Sequence, residues 1–117
     1  MTEIELTKKK LDLLERMRLY LTEFGGEGYS VGDVQKVGKT LEVYFHNIKK
    51  KAKKKNADYL SDVKKAVIDL NKLNEKCEGS LIETDQREDI CAFLINTAMS
   101  FGFIEKFEDI TEEWRDW

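Results

Sequence analysis

No proline occurs in the 117 residues, and this absence constrains the fold more than any other feature of the sequence. Proline interrupts helices because it lacks a backbone N–H and its ring clashes with the preceding turn. A proline-free chain rich in Lys, Glu and Leu therefore favours helix. The apolar residues point the same way, since many of them recur at steps of three and four, the period of an amphipathic helix.

The first helix is predicted over residues 2–24. Thr2 and Glu5 have the spacing of a capping box, in which each side chain accepts a hydrogen bond from the other residue's backbone N–H. Gly25 and Gly26 are expected to end this helix, because glycine readily adopts the left-handed conformation found at helix ends. Its main apolar stripe is formed by Leu13, Met17, Tyr20 and Phe24.

A second helix is predicted to follow Ser30, which with Asp33 forms another capping pair. The stretch TLEVYFHNI within it could also alternate as a strand, but a lone strand would have no partner elsewhere in the chain. Asn56 is the expected cap of a third helix that ends at Gly79. Whether the second and third helices are separate or form one bent rod stays open. The apolar positions of the two are Val34, Val37, Leu41, Phe45 (with Tyr44), Ile48, Ala52, Leu60, Val63, Val67, Leu70, Leu73 and Cys77.

The last third of the chain contains two further pairs at capping-box spacing. Asp85 and Glu88 are expected to head a fourth helix, which is apolar on most sides and is therefore predicted to lie in the middle of the bundle. Asp109 and Glu112 are expected to head a short terminal helix. The sequence thus predicts an all-α, four-helix bundle-like single domain over residues 1–117, with a short C-terminal helix.

Few residues are candidates for chemistry. The single histidine, His46, has no metal-ligand spacing to Cys77 or Cys91, which argues against a zinc site or a Ser-His-Asp arrangement. The two cysteines are too few for a disulfide framework and are expected to be reduced thiols. The carboxylates lie mostly at predicted helix starts, where capping explains them without catalysis. We therefore predict no enzyme activity and no metal or other cofactor.

Two features of the sequence bear on location. The N-terminal segment MTEIELTKKK has no apolar run of the kind that a secretory signal contains. No stretch approaches the roughly 20 apolar residues that cross a bilayer. We therefore expect a cytoplasmic protein with no membrane partner.

Charge is distributed unevenly along the chain. Residues 1–77 contain 17 Lys and Arg against 12 Asp and Glu, whereas residues 78–117 contain 3 against 11. Aromatic anchors among charged groups are typical of a protein interface, and a surface of one charge favours a partner of the other. The expected function is therefore non-catalytic binding of a basic protein partner. The expected partner-binding residues are Glu83, Asp85, Glu88, Asp109, Glu112, Glu113, Trp114, Asp116 and Trp117.

The two tryptophans also have a structural explanation. Trp114 and Trp117 are three positions apart, so on a helix they would share a face and could fold back to seal one end of the bundle. In that case Trp114 is expected to be buried and Trp117, the last residue, to be partly buried. The carboxylates would then face outwards, so this explanation is compatible with partner binding.

The sequence KKKAKKK over residues 49–55 suggests an alternative function. Clustered ammonium groups can hold the phosphates of nucleic acid or of an acidic membrane surface. The run contains neither arginine for reading bases nor an aromatic residue for stacking on them, so a solvated helix end is the preferred interpretation. Nucleic acid is accordingly not the expected partner. The alternative site would consist of Lys49, Lys50, Lys51, Lys53, Lys54 and Lys55.

The second half of the chain carries a recognisable pattern. The segment LNKLNEKCEGSLIETDQREDIC and the ending DITEEWRDW resemble a group of small bacterial proteins over about residues 67–117. Those proteins resemble in turn the small acidic cytoplasmic partners, immunity proteins among them, that accompany bacterial polymorphic toxins. The resemblance implies an immunity-type inhibitor and carries no catalytic residues. The shared positions are Leu73, Asn74, Cys77, Gly79, Ile82, Glu83, Asp85, Arg87, Glu88, Cys91, Asp109, Thr111, Glu112, Glu113, Trp114 and Arg115.

Overall fold

Four α-helices build the computed structural model of the protein, which describes residues 1–23, 28–54 and 57–117. They are α1 (Glu3–Glu23), α2 (Val31–Lys51), α3 (Leu60–Lys76) and α4 (Thr84–Ser100). The described residues contain no strand, and TLEVYFHNI lies within α2. The all-α, four-helix bundle-like architecture is therefore confirmed, and α2 and α3 are separate helices.

Predicted capping boxes fix the starts of the first two helices. Thr2 and Glu5 exchange side-chain to backbone hydrogen bonds, each of 3.1 Å, at the start of α1. Ser30 and Asp33 do the same before α2, at 2.9 and 3.3 Å. Both boxes are as predicted. The predicted stop at Gly25 and Gly26 and the predicted cap Asn56 lie outside the described residues, as does the predicted core residue Phe24.

The start of α4 differs from the prediction. Its capping pair is Glu83 with Gln86, whose side chain accepts a hydrogen bond from the Glu83 N–H at 3.2 Å, and not Asp85 with Glu88. The preceding residue explains the difference, because the N–H of buried Ile82 donates to the side chain of Asn74 at 2.9 Å. That contact ties the connection to α3 and lets the helix begin directly after it.

The core is centred on α2, which packs against each of the other three helices. Its buried residues all belong to the predicted stripe: Val34, Val37, Leu41, Tyr44 and Ile48. Of the other predicted positions, Phe45 is partly buried and Ala52 is exposed. The Tyr44 hydroxyl donates to the backbone oxygen of Leu94 in α4 at 2.7 Å. The prediction that α4 occupies the middle is wrong. This helix packs on α1 and α2, and the segment after it covers part of its remaining apolar surface, where Cys91 contacts Thr111.

No helix follows α4 in the described residues, so the predicted short C-terminal helix is wrong. Asp109 does not cap a helix with Glu112. Its Oδ1 accepts hydrogen bonds from the N–H and the hydroxyl of Thr111, at 2.8 and 2.6 Å. The carboxylate thereby closes a turn two residues long, and one helical turn follows, in which the N–H of Arg115 bonds the Thr111 carbonyl at 3.1 Å.

Candidate functional site

A single side chain of α3 attaches the end of the chain to the bundle. Asn71 is buried, with 8% of its surface exposed. Its amide N–H donates to the carbonyl oxygen of Trp114 at 2.7 Å, and its Oδ1 accepts from the N–H of Asp116 at 3.3 Å. Asn71 therefore fixes the backbone on both sides of Arg115. Nothing in the sequence near Asn71 signals this contact, because its partners lie more than forty positions away.

A second group of contacts holds the turn from within. Thr111 is fully buried, and its hydroxyl lies 3.5 Å from the Cys91 sulfur of α4. Arg115 donates to Thr111 at 3.3 Å and to the Trp117 carbonyl at 2.8 Å, and it pairs with Asp109 at 3.1 Å. We call residues 109–117, held in this way, the C-terminal turn.

Both tryptophans of the C-terminal turn pack inwards. Trp114 and Trp117 are partly buried and lie against the hydrophobic core. The guanidinium carbon of Arg115 is 5.5 Å from the centre of a Trp117 ring, a distance at which a cation–π interaction stabilises the pair. The two rings thus cover part of the hydrophobic core, as the structural explanation predicted, although they do not lie on a helix. Trp114 is less buried than predicted.

The carboxylates of the C-terminal turn divide into two kinds. Glu112, Glu113 and Asp116 are exposed, and none of them forms an ion pair with a described residue. Asp109 is bonded internally. Burial raises its pKa, but the hydrogen bonds from Thr111 and Arg115 outweigh that effect and leave the pKa below its ordinary value. Asp109 therefore shapes the turn, and the other three carboxylates remain available to a partner.

The predicted acidic residues of α4 lie on its first two turns. Glu83, Asp85 and Glu88 are all exposed. Asp85 lines a cavity of about 380 Å³ beside α1, where Arg16 pairs with Asp89 at 2.9 Å. Glu88 lies one turn before Cys91, and the Cys91 side of α4 faces the C-terminal turn. The α4 carboxylates therefore extend from the α1 side of the molecule towards the C-terminal turn.

The lysines of the run differ in their surroundings. Lys49, Lys50 and Lys53 line a cavity of about 300 Å³ together with His46. Lys49 pairs with Glu3 at 2.7 Å. Lys51 pairs with Asp62 at 2.7 Å and donates to the Asp58 carbonyl at 2.8 Å, which joins the end of α2 to the start of α3. Lys50, Lys53 and Lys54 are exposed, and Lys55 lies outside the described residues. The run is therefore partly structural.

A different set of lysines, which sequence analysis did not single out, converges between two helices. A groove of about 450 Å³ between α2 and α3 is lined by five lysines, two from the first helix and three from the second. They are Lys36, Lys39, Lys65, Lys72 and Lys76. On each helix alone these residues look like a solvated face. Only the packing of α2 on α3 brings them together.

The remaining candidates for chemistry are one histidine and two cysteines. His46 has a side chain that is 66% exposed and lies 3.7 Å from Glu42. Cys77 and Cys91 are both free thiols. Within the described ranges, no three His, Cys, Asp or Glu side chains are grouped as metal ligands, and no described helix is both long and apolar enough to cross a bilayer.

Comparison with known proteins assigns neither a family nor a function to the chain. No family model matches the chain, and no curated protein or solved structure shows significant similarity to it. A function is therefore inferred from the geometry of the C-terminal turn and from the chemistry of its exposed groups.

Proposed function

We propose that the protein is a non-catalytic binding module that holds a basic protein partner against the carboxylates of its C-terminal turn. One observation carries the proposal. Glu112, Glu113 and Asp116 are exposed and without ion pairs to described residues, on a backbone that Asn71 fixes to α3. A surface held in place before binding loses little conformational entropy when the partner arrives, which favours affinity.

The charge of this region favours a particular class of partner. Residues 78–117 carry 11 acidic against 3 basic side chains. Such a surface attracts a basic protein at long range and aligns it during encounter. The nucleic-acid-binding surface of a nuclease toxin has this basic character, and the resemblance to immunity proteins agrees with it. We therefore propose an immunity-type inhibitor of the bacterial cytoplasm.

The experiment uses the product of the neighbouring gene, purified with an affinity tag, as the candidate partner. Wild-type protein is compared with the double variant Glu112→Lys/Glu113→Lys. The matched control is Asp12→Lys/Glu75→Lys, which makes the same change of net charge at exposed positions of α1 and α3. We expect the wild type and the control to bind the candidate and protect cells that express it. The double variant should bind at least about tenfold more weakly, because attraction becomes repulsion.

Two results would contradict the proposal. One is equal loss of binding in both double variants, which would show that net charge matters and the C-terminal turn does not. The other is a stable complex whose affinity is unchanged by Glu112→Lys/Glu113→Lys at low salt. Circular dichroism of each variant establishes that the helices are intact before the comparison is made.

A further inference from the structure

The groove between α2 and α3 has a regular composition. On α2, the residues that line it recur at steps of three and four, as Lys36, Lys39 and Val43. On α3 the steps are again three and four, through Lys65, Asp69, Lys72 and Lys76. Residues at this spacing lie on one side of a helix. With a rise of about 1.5 Å per residue, the α3 lysines extend over roughly 16 Å, or about three helical turns.

Most of the lysines in this groove form no ion pair within the described part of the chain. Lys65 pairs with Asp69 at 2.9 Å. The other four lysines form no ion pair with any residue in the described part of the chain. Like charges held along one groove repel one another, and an anionic ligand would relieve that repulsion.

The groove also offers apolar surface. Val43 lines the groove and is 38% exposed. Leu73 is partly buried, and its side chain packs against the core while it lines the groove. The aliphatic stems of the lysines add further apolar area beside them. The ligand should therefore combine an apolar stripe with flanking negative charges.

We propose that this groove binds an acidic amphipathic helix of a partner protein. An amphipathic helix can lay its apolar side into a groove between two helices, with anchors spaced by three and four residues. Here the apolar side would contact Val43 and Leu73, and glutamate or aspartate side chains on both flanks would contact the lysines. The site is separate from the C-terminal turn and has the opposite charge.

Two other occupants fit the groove less well. Nucleic acid is disfavoured because the lining contains no arginine for reading bases, no aromatic residue for stacking, and one carboxylate, that of Asp69. A second copy of this chain is disfavoured because its acidic end is not an amphipathic helix. That end is a turn bonded to Asn71 of its own bundle.

The test uses a fluorescein-labelled peptide of about four helical turns, with leucines spaced by three and four and glutamates elsewhere. A second peptide has the same composition, with the leucines scattered around the helix. Binding to the full chain is measured by fluorescence anisotropy at low salt. We expect the amphipathic peptide to bind roughly tenfold more tightly than the scattered one, since only the former presents a continuous apolar stripe.

The groove is then altered by Lys39→Glu/Lys72→Glu, and by the milder Lys39→Gln/Lys72→Gln in case the first variant folds poorly. Lys53→Glu/Lys54→Glu is the control, because these exposed lysines lie outside the groove and the change of charge is the same. We expect the groove variants to weaken peptide binding by about tenfold or more and the control to weaken it less than threefold.

Four results would overturn the proposal. The first is equal binding of the two peptides, which would mean that the groove recognises charge alone. The second is tighter binding of a labelled single-stranded DNA of twenty nucleotides, lost in the same groove variants, which would assign the groove to nucleic acid. The third is a dimer of the wild-type chain in light scattering that the groove variants dissociate. A peptide that binds all variants equally would also contradict it.

Discussion

At the scale of single residues, Asn71 is the side chain of α3 that bonds the C-terminal turn. Its two hydrogen bonds to Trp114 and Asp116 join α3 to the end of the chain. An asparagine can make both, because its amide offers donors and an acceptor in one side chain. The carboxylates that follow Thr111 keep their positions through this contact, so Asn71 influences binding without touching a partner.

Replacing Asn71 by alanine should release the end of the chain. Each lost hydrogen bond is expected to cost about 1 kcal/mol of the free energy of unfolding, so the total is about 2 kcal/mol. The fluorescence of Trp114 and Trp117 should shift to longer wavelength as both rings become hydrated. Urea unfolding and emission spectra measure the two effects. Lys72→Ala, an exposed neighbour on α3, is the control and should cost less than about 0.5 kcal/mol. Equal values for the two variants would mean that Asn71 does not hold the turn.

Asp109 gives the C-terminal turn a dependence on pH. Its pKa in the folded protein lies below the ordinary value, so the carboxylate stabilises the fold above the unfolded pKa of about 3.9, and this contribution is lost as pH falls through the folded pKa. Asp109→Asn should therefore reduce the free energy of unfolding at pH 7 by at most about 1 kcal/mol, because solvent partly screens the pair with Arg115.

The difference between wild type and Asp109→Asn should shrink as the pH is lowered below about 4, where the wild-type carboxyl is increasingly protonated. Denaturant unfolding at a series of pH values measures it. A difference that is the same at pH 7 and pH 3 would mean that the charge of Asp109 contributes nothing and that only the shape of the turn matters.

Two contacts between near neighbours could be predicted from the sequence, and the distant contacts of Asn71 could not. Thr2 with Glu5 and Ser30 with Asp33 are each three positions apart, and their chemistry is visible in the sequence. Asn71 looks like any polar residue on a helix until the chain end is packed against it. The inward orientation of the tryptophans was predicted, but the side chain that enforces it was not.

At the scale of elements, the end of α3 carries local strain. Glu78 has a φ of 54°, the left-handed region, and Gly79 follows with a φ of 81°. The N–H groups of Glu78 and Gly79 donate to the carbonyls of Glu75 and Asn74, at 3.0 and 2.8 Å. This is the Schellman arrangement, in which the first left-handed residue is usually glycine.

Glu78→Gly should therefore stabilise the protein. A residue with a side chain is unfavourable in the left-handed conformation, and the gain on removing it is expected to be about 0.5–1 kcal/mol, or roughly 2–4 °C in Tm. Glu78→Ala is the matched control, since it removes the same carboxylate and keeps a Cβ, so it should give no such gain. Thermal unfolding followed by circular dichroism measures both. Equal Tm changes for the two variants would mean that backbone strain at residue 78 does not cause the gain in stability.

The two wrong capping predictions have a common physical reason. The prediction favoured aspartate at the cap, as statistics of helix starts do. In both cases another contact takes precedence. At α4 the bond from Ile82 to Asn74 places the start at Glu83, and at Asp109 the carboxylate is occupied by Thr111. Helix starts are therefore predictable only where no other contact competes for the same groups.

At the scale of the whole molecule, the net charge of −3 hides two separate surfaces. The C-terminal turn presents carboxylates, and the α2–α3 groove presents lysines. The sequence predicted the first surface, because the acidic residues cluster along the chain. It did not predict the second, because the groove lysines are spread over two helices. The alternative anion-binding site was instead assigned to the contiguous lysine run at residues 49–55.

The central claim is that the exposed carboxylates of the C-terminal turn bind a basic protein. Its most direct test is the affinity of the complex with the neighbouring gene product, measured by calorimetry over a series of salt concentrations. For the wild type we predict that the affinity falls by at least about tenfold between 50 and 300 mM salt, because screening weakens attraction between the surfaces. For Glu112→Lys/Glu113→Lys we predict a weaker complex with little dependence on salt. A wild-type affinity that does not change with salt, or identical salt dependence in the two proteins, would contradict the account.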